Sequence, residues 1–443
     1  MNSELLISAL IFVGTYLAIL TNKVERSLAA VTGAAFMVGA GLVFGFYNER
    51  EVITEAIDWN TIALLFGMMI VVGILKDTGL FETLAVWAAK LSRGDYFYMM
   101  LLFGILAALM STTIDNVTTI LLVAPISMSI SSVLGIDPKP ILLTQGLFAN
   151  IGGVATLIGD PPNIMISTAG GFSYLDYIYN LAPTVIICTS VTAIVFKLIF
   201  SEKTRRENQE MNREALNNIL ESKPSKEISD WSLLGKSLAT LVFIIVLFTL
   251  QSVLSITPAT VALAGAALIL MLSQPDMSEI LERVEWRTLL FFAGLFVVVH
   301  GVGNTALLTK AAQGVLHLTR GNLLLSALSI LFLSAVGSGL VDNIPLTAVM
   351  LPIIGTLSAN LPGESNILWW ALAFGTGFGG NATYIGSPAN EMIVSLSEDH
   401  HEPITMKYWL KYSTVITLIT TLIAGAVIAI QIVSPLNLPF LPN

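Results

Sequence analysis

The pattern along this chain is one of long apolar runs cut by short polar ones. Runs near residues 5–21, 26–46, 60–76 and 181–200 carry almost no charge, and runs near 233–250 and 412–433 repeat the pattern later on. A helix needs roughly 20 mostly apolar residues to cross the hydrocarbon core of a bilayer, so these runs predict spanning helices. Other apolar runs are broken. Legs at 97–112 and 117–134 flank Ser111-Thr112-Thr113-Ile114-Asp115-Asn116, and the run 140–170 is cut by Gly159-Asp160-Pro161-Pro162-Asn163. The stretch 81–92 is amphipathic and is followed by Arg93.

The landmarks recur at one fixed offset. Asp58-Trp59 returns as Glu285-Trp286, Asp115-Asn116 as Asp342-Asn343, and Pro125 as Pro352, each 227 positions on. At the same offset Gly152-Gly153-Val154-Ala155-Thr156-Leu157-Ile158-Gly159-Asp160-Pro161-Pro162-Asn163 returns as Gly379-Gly380-Asn381-Ala382-Thr383-Tyr384-Ile385-Gly386-Ser387-Pro388-Ala389-Asn390, with 8 of 12 positions identical. Chance likeness between apolar helices would not hold one offset over a hundred residues, so the chain is an internal duplication. It divides into a first membrane repeat at 1–200, a polar linker at 201–230 and a second membrane repeat at 231–443.

Basic residues near span ends mark the cytoplasmic side. The linker, with Lys203, Arg205, Arg206, Arg213 and Lys226, is expected there, as is the turn holding Lys23 and Arg26. The matching turn at 251–260 has no charge and is expected outside. The first span then runs inward and its copy outward, which makes the repeats inverted with both termini external. Inversion requires an odd number of crossings per half. Five spans plus a re-entrant hairpin from the two interrupted legs satisfy it, whereas two full crossings would make the repeat parallel. The expected fold is therefore an all-α polytopic membrane protein of two inverted repeats, with broken helices at the midplane. The run 5–20 has no basic residue before it and no small-residue cleavage site after it, so it is expected to be retained as the first span.

Composition agrees: of 443 residues 55% are apolar and 12% charged, with mean hydropathy +0.80, against about 25% charged in soluble domains. There is no basic patch for nucleic acid. The single Cys188 excludes an internal disulfide and a multi-thiolate metal site, and reads as a packing residue. No GxxxxGK[ST] loop is present for nucleotide, and no enzyme motif or fixed cofactor is expected.

The polar breaks carry the chemistry. Backbone can leave the helix at membrane depth only where protein or a water cavity satisfies it, and inverted-repeat transporters place their sites at such breaks. A charge in the bilayer centre costs at least about 2.5–3.5 kcal/mol, so Asp115, Asp160 and Asp342 need reasons. Capping the second hairpin leg would suit Asp115 and Asp342. The repeat places Ser387 opposite Asp160, which points to a job done once per molecule, such as holding a proton or a cation. Thr113, Asn116, Thr156, Asn163, Asn343, Asn381, Thr383 and Asn390 add hydroxyls and amides, and the motifs contain no Arg or Lys. That set suits a proton, a cation (H+ or Na+ as the coupling ion) or a small neutral hydroxylated solute. His300, opposite Gly73, is a packing residue or a proton relay. Glu391, opposite Ile164, lines the site or reaches the interface. Trp59 and Trp286, and Trp369-Trp370, read as interfacial anchors.

At the two long motifs and at Asp342-Asn343-Ile344-Pro345 the sequence resembles the ArsB/NhaD permease family of the ion transporter superfamily, in its P-protein branch. The resemblance implies two re-entrant hairpins, an elevator-like transport domain and a dimer. It also implies a substrate menu of arsenite or antimonite efflux, sodium/proton exchange, and organic or inorganic anions. Asp115-Asn116-Val117 and Asp342-Asn343-Ile344 stand where the dicarboxylate branch has Ser-Asn-Thr, which lowers the anion option. The leading expectation is proton-coupled export of arsenite or antimonite across a bacterial or archaeal plasma membrane. A sodium/proton antiporter is the alternative, and a channel or the membrane subunit of an ATPase is a further class.

Overall fold

A computed structural model describes residues 3–21, 23–361 and 365–433. It is helical throughout, with no strand among the described residues. Ten of the described helices are long and apolar enough to cross a membrane.

The first half contributes α1 (Ser3–Thr21), α2 (Arg26–Phe44), α3 (Trp59–Lys76), α4 (Leu80–Leu91), α5 (Tyr96–Met110), α6 (Asn116–Leu134), α7 (Lys139–Gly153), α8 (Pro161–Gly170) and α9 (Ala182–Ile199). The second contributes α10 (Trp231–Thr249), α11 (Pro258–Ser273), α12 (Trp286–Gly303), α13 (Leu307–Thr319), α14 (Leu323–Leu340), α15 (Asn343–Asn360), α16 (Ile367–Gly379), α17 (Pro388–Asp399) and α18 (Met406–Val433). Shorter helices fill the connections, among them Ser201–Glu210 and Arg213–Glu221 in the linker. Each long helix has its copy in the other half, and the expected boundaries of the interrupted legs fall within a few residues of α5, α6, α7 and α8.

The copies run in opposite directions. Ser229 N donates to Thr78 O (3.0 Å) and Arg283 Nη1 to Gly73 O (3.0 Å), so the linker, the end of α3 and the start of α12 share one side. Tyr47 Oη donates to Val297 O (2.7 Å) and Asn304 Nδ2 to Phe46 O (3.0 Å), placing the ends of α2 and α12 together on the other side. Helix α3 thus ends where its own copy begins. The turn with Arg26 lies on the linker side, as its charge predicts.

Packing sorts the helices into two bodies. In the first, α2 lies along α12 and α11 along α3, flanked by α1 and α10. The backbones touch: a Cβ on Gly294 would meet Ala30 C at 2.7 Å, and one on Gly67 would meet Ala262 C at 2.7 Å. The second body holds the hairpins α5–α6 and α14–α15 against α7 and α16, with α8 on α15 and α17 on α6. Each half therefore lays its broken helix on the other half's hairpin. Contact is again at backbone distance, since a Cβ on Gly152 would stand 2.3 Å from Ala108 O and one on Gly379 2.4 Å from Ala335 O.

Burial separates the roles. Every residue of 140–153 and of 367–379 is buried, whereas α1, α9 and α10 keep apolar residues such as Leu10, Ile186, Leu198 and Val242 exposed. A face of that kind suits lipid or a protein neighbour rather than water. Trp59 and Trp286 are exposed at the starts of α3 and α12, their indoles donating to Ile53 O and Leu281 O. Trp369 and Trp370 are not interfacial. They are buried, Trp370 against Phe172 (4.3 Å between centroids) and edge-on to Tyr177 (5.3 Å). Their place at the start of α16 made them look like anchors, but α16 is surrounded by protein on all faces.

Candidate functional site

Both hairpin tips and both helix breaks meet in one place. Asp115 begins α6 and accepts from Thr118 N (2.9 Å), and Asp342 begins α15 and accepts from Ile344 N (2.9 Å). Both cap their helices, satisfying donors that a helix start leaves free. Beyond each break Pro161 and Pro388 occupy the first helical position of α8 and α17, where a missing N–H costs nothing.

Several expected site residues turn out to hold the breaks together. Thr156 Oγ1 donates to Thr112 O (2.6 Å), and its copy Thr383 Oγ1 to Gly339 O (2.7 Å), tying each break to its own hairpin tip. Asn163 Nδ2 donates to Gly153 O (3.0 Å) and Thr156 O (2.8 Å), and Asn390 Nδ2 to Gly380 O (3.0 Å). These amides satisfy carbonyls that the interrupted helices release. Gly159 and Gly386 complete the arrangement, because a Cβ there would stand 2.3 Å from Ser111 O and 2.5 Å from Ser338 O. Thr113 Oγ1 turns back to Met110 O (3.1 Å) and serves its own helix end.

Between the breaks the two halves cease to match. Asp160, 1% exposed, receives Asn343 Nδ2 from the opposite hairpin at 3.1 Å. Asn116, the copy of Asn343, donates instead to Asn150 Oδ1 (2.8 Å), and Ser387 Oγ donates to the same oxygen (2.9 Å). Asn150 Nδ2 reaches Asn381 Oδ1 (2.8 Å) and Asn390 Oδ1 (3.1 Å). Asn150 thus joins four residues of the centre, yet sequence reasoning missed it. A signal was present: the repeat pairs Asn150 with Gly377, an amide against no side chain inside an apolar helix. Asn116 Oδ1 and Asn343 Oδ1 are buried acceptors with no donor among the described residues, a condition that costs about 1–3 kcal/mol each unless a ligand supplies the partner. Asn150→Leu is expected to strip partners from Asn116 Nδ2, Ser387 Oγ, Asn381 Oδ1 and Asn390 Oδ1 at once. Thermal denaturation of the purified variant should show a loss of at least about 3 kcal/mol on that scale.

A cavity of about 160 Å³ opens beside the tips, lined by Asp115, Asp342, Pro161 and Pro388 on one side and Glu25, Arg26, Glu285 and Arg287 on the other. It contradicts one expectation. The polar motifs contain no basic residue, but Arg26 comes to them from α2, with Nη1 2.7 Å from Asp342 Oδ2 and Nη2 bonded to Glu391. The residue read only as a marker of sidedness is therefore part of the site, and Glu391 faces it rather than an interface. Tyr16 Oη reinforces the contact by donating to Pro345 O (2.7 Å). His300 lies elsewhere. It stands near the end of α12, on the side away from the linker, with Nε2 3.0 Å from Glu51 Oε1, and it meets none of the three aspartates.

The chain compares closely with known proteins. Residues 16–375 match the CitMHS family, described as citrate transporters. The chain is 37% identical to a 46 kDa membrane protein of Mycobacterium leprae over 95% of this chain and 97% of that one. An uncharacterized transporter of Mycobacterium tuberculosis is 37% identical over 95% and 96%. The human P protein is 33% identical over 90% of this chain, which spans 56% of its length. The Alcanivorax borkumensis YdaH transporter, whose crystal structure has an unusual topology, superposes with a TM-score of 0.59 over the whole of both chains at 13% identity, a likeness of fold alone. The chain therefore belongs to the CitMHS citrate-transporter family: it is an integral membrane protein and a secondary transporter, not an enzyme.

Proposed function

We propose that this transporter is ion-coupled, with Asp160 holding the coupling ion, H+ or Na+, and with the cavity beside Asp115 and Asp342 holding the cargo. The observation that carries the reading is the pair of orphaned amide oxygens, Asn116 Oδ1 and Asn343 Oδ1, on the two hairpin tips that flank a buried carboxylate. Acceptors without donors, next to an acid that water does not reach, suit a cation or a protonated group. The division into two bodies, with the site on one and the cavity's far wall on the other, supports elevator-type alternating access. The lysines and arginines of the linker support a cytoplasmic linker side and, in a bacterial or archaeal cell, a plasma-membrane location.

For the cargo, the cavity wall sets Glu25, Asp115, Glu285 and Asp342 against Arg26 and Arg287. An excess of carboxylates disfavours a polyanion such as citrate and suits a neutral hydroxyl donor. That supports proton-coupled efflux of arsenite or antimonite, as in the ArsB/NhaD-type carriers. The second reading, a sodium/proton antiporter, is favoured by the oxygen-only donor set at the tips, since hard cations take oxygen ligands.

Proteoliposomes with a trapped pH dye test both. Arsenite-dependent proton flux in the wild type supports the first reading. Sodium-dependent proton flux that arsenite leaves unchanged supports the second. Proton movement under neither condition would sink proton coupling altogether.

A further inference from the structure

On the side opposite the linker, remote from the three aspartates, one imidazole and two carboxylates converge. His300 Nε2 lies 3.0 Å from Glu51 Oε1, and one ligating atom from each of Glu51, Glu55 and His300 fall within 4.8 Å of one another. Glu51 and Glu55 come from the short helical segment between α2 and α3, and His300 from the last turn of α12. The group is braced from behind. The Tyr47 ring stacks on the imidazole at 5.7 Å, its Oη held on Val297 O, and Asn304 Nδ2 donates to Glu51.

The arrangement is built once. At the offset of 227 the repeat places Ser278 opposite Glu51 and Gly73 opposite His300. The pseudo-symmetric scaffold therefore does not require the cluster, and the proposed ion chemistry between the hairpin tips does not use it.

We propose that Glu51, Glu55 and His300 form a binding site for a divalent transition-metal ion of the zinc class, which ties the segment before α3 to the end of α12. Zinc takes imidazole nitrogen and carboxylate oxygen at about 2.0–2.2 Å, often with water completing four ligands. The three atoms must draw together by roughly an ångström for that geometry. The exposed Glu55 side chain supplies the movement. Metal binding here does not depend on the coupling reading and fails or stands separately from it.

The test is titration of the purified full-length protein in nanodiscs with Zn2+ by calorimetry, and with Co2+ by its visible absorption. One equivalent is expected for the wild type, with intense low-coordination cobalt bands. Glu55→Gln and His300→Gln should each weaken binding at least about tenfold, since even outer-shell changes cost 10–100-fold. The combined variant His317→Gln/His400→Gln/His401→Gln should leave it unchanged. Because Glu55 is exposed, Glu55→Gln remains informative if His300→Gln misfolds. Absence of binding in the wild type would overturn the proposal. So would wild-type affinity in Glu55→Gln, or loss of binding in the combined histidine variant.

Discussion

Asp160→Asn is expected to abolish accumulation of cargo against a gradient while leaving the folded protein intact. The carboxylate is 1% exposed and accepts from Asn343 Nδ2 of the other half's hairpin. An amide keeps the shape and can still accept that bond, but it cannot take up or release a proton, and it is a weaker ligand for Na+. Desolvating a carboxylate is costly, so the melting temperature should hold or rise. The cavity wall does not include Asp160, so cargo affinity should stay within about threefold, less than 1 kcal/mol. Uptake assays in proteoliposomes, paired with cargo binding to the purified variant, separate the two effects. A variant that loses binding and transport together would place Asp160 in the cargo site instead.

Arg26→Gln is expected to produce the larger loss of stability. Asp342 is 3% exposed on its side chain and Arg26 20%, so the variant leaves a buried carboxylate facing a neutral amide. Removing one partner of a buried pair costs about 3–5 kcal/mol, whereas replacing both can be neutral. Thermal melts of Arg26→Gln, Asp342→Asn and the double variant therefore form a test by cycle. The account predicts that the double variant recovers most of the loss. The pair also bridges the two packed bodies, α2 on one and the start of α15 on the other. Its rupture should accordingly raise the rate of passive cargo exchange in whatever fraction remains folded, as any movement between the bodies must break it.

Much of this architecture was legible in the sequence, and the physical reason is the bilayer. Lipid forces spans to be long and apolar and punishes every polar interruption, so Ser111 to Asn116 and Gly159 to Asn163 stand out against their surroundings. Duplication then doubled the signal, and one offset identified tips, breaks and linker together. What the sequence concealed were contacts between distant segments. Arg26 looks like a topological marker because it sits at a span start, and nothing local says that its guanidinium reaches Asp342. Asn150 is hidden inside α7, and its importance appears only when Asn116, Ser387, Asn381 and Asn390 are seen around it. Trp369 and Trp370 mislead for the same reason, since a tryptophan at a helix start is interfacial only if that helix faces lipid. His300 was separated from the aspartates by the path of α12, which carries it to the opposite side.

The repeat also shows how symmetry and function divide the residues. Thr156 with Thr383 and Gly159 with Gly386 make the same contacts in both halves, Asn163 and Asn390 share the bond to the copied glycine carbonyl, and these contacts hold the scaffold of the site. Asp160 with Ser387 and Asn150 with Gly377 break the symmetry at its centre. An inverted repeat gives a carrier two similar faces, and the proposed coupling through Asp160 would set a single ion site between them.

The measurement that tests this most directly is simultaneous recording of cargo and ion flux in the same proteoliposomes, for wild type and Asp160→Asn. The account predicts a fixed ratio of ion to cargo in the wild type across imposed gradients, and in the variant only downhill cargo exchange with no accompanying ion. Cargo movement without an ion in the wild type, or an unchanged ratio in Asp160→Asn, would contradict it.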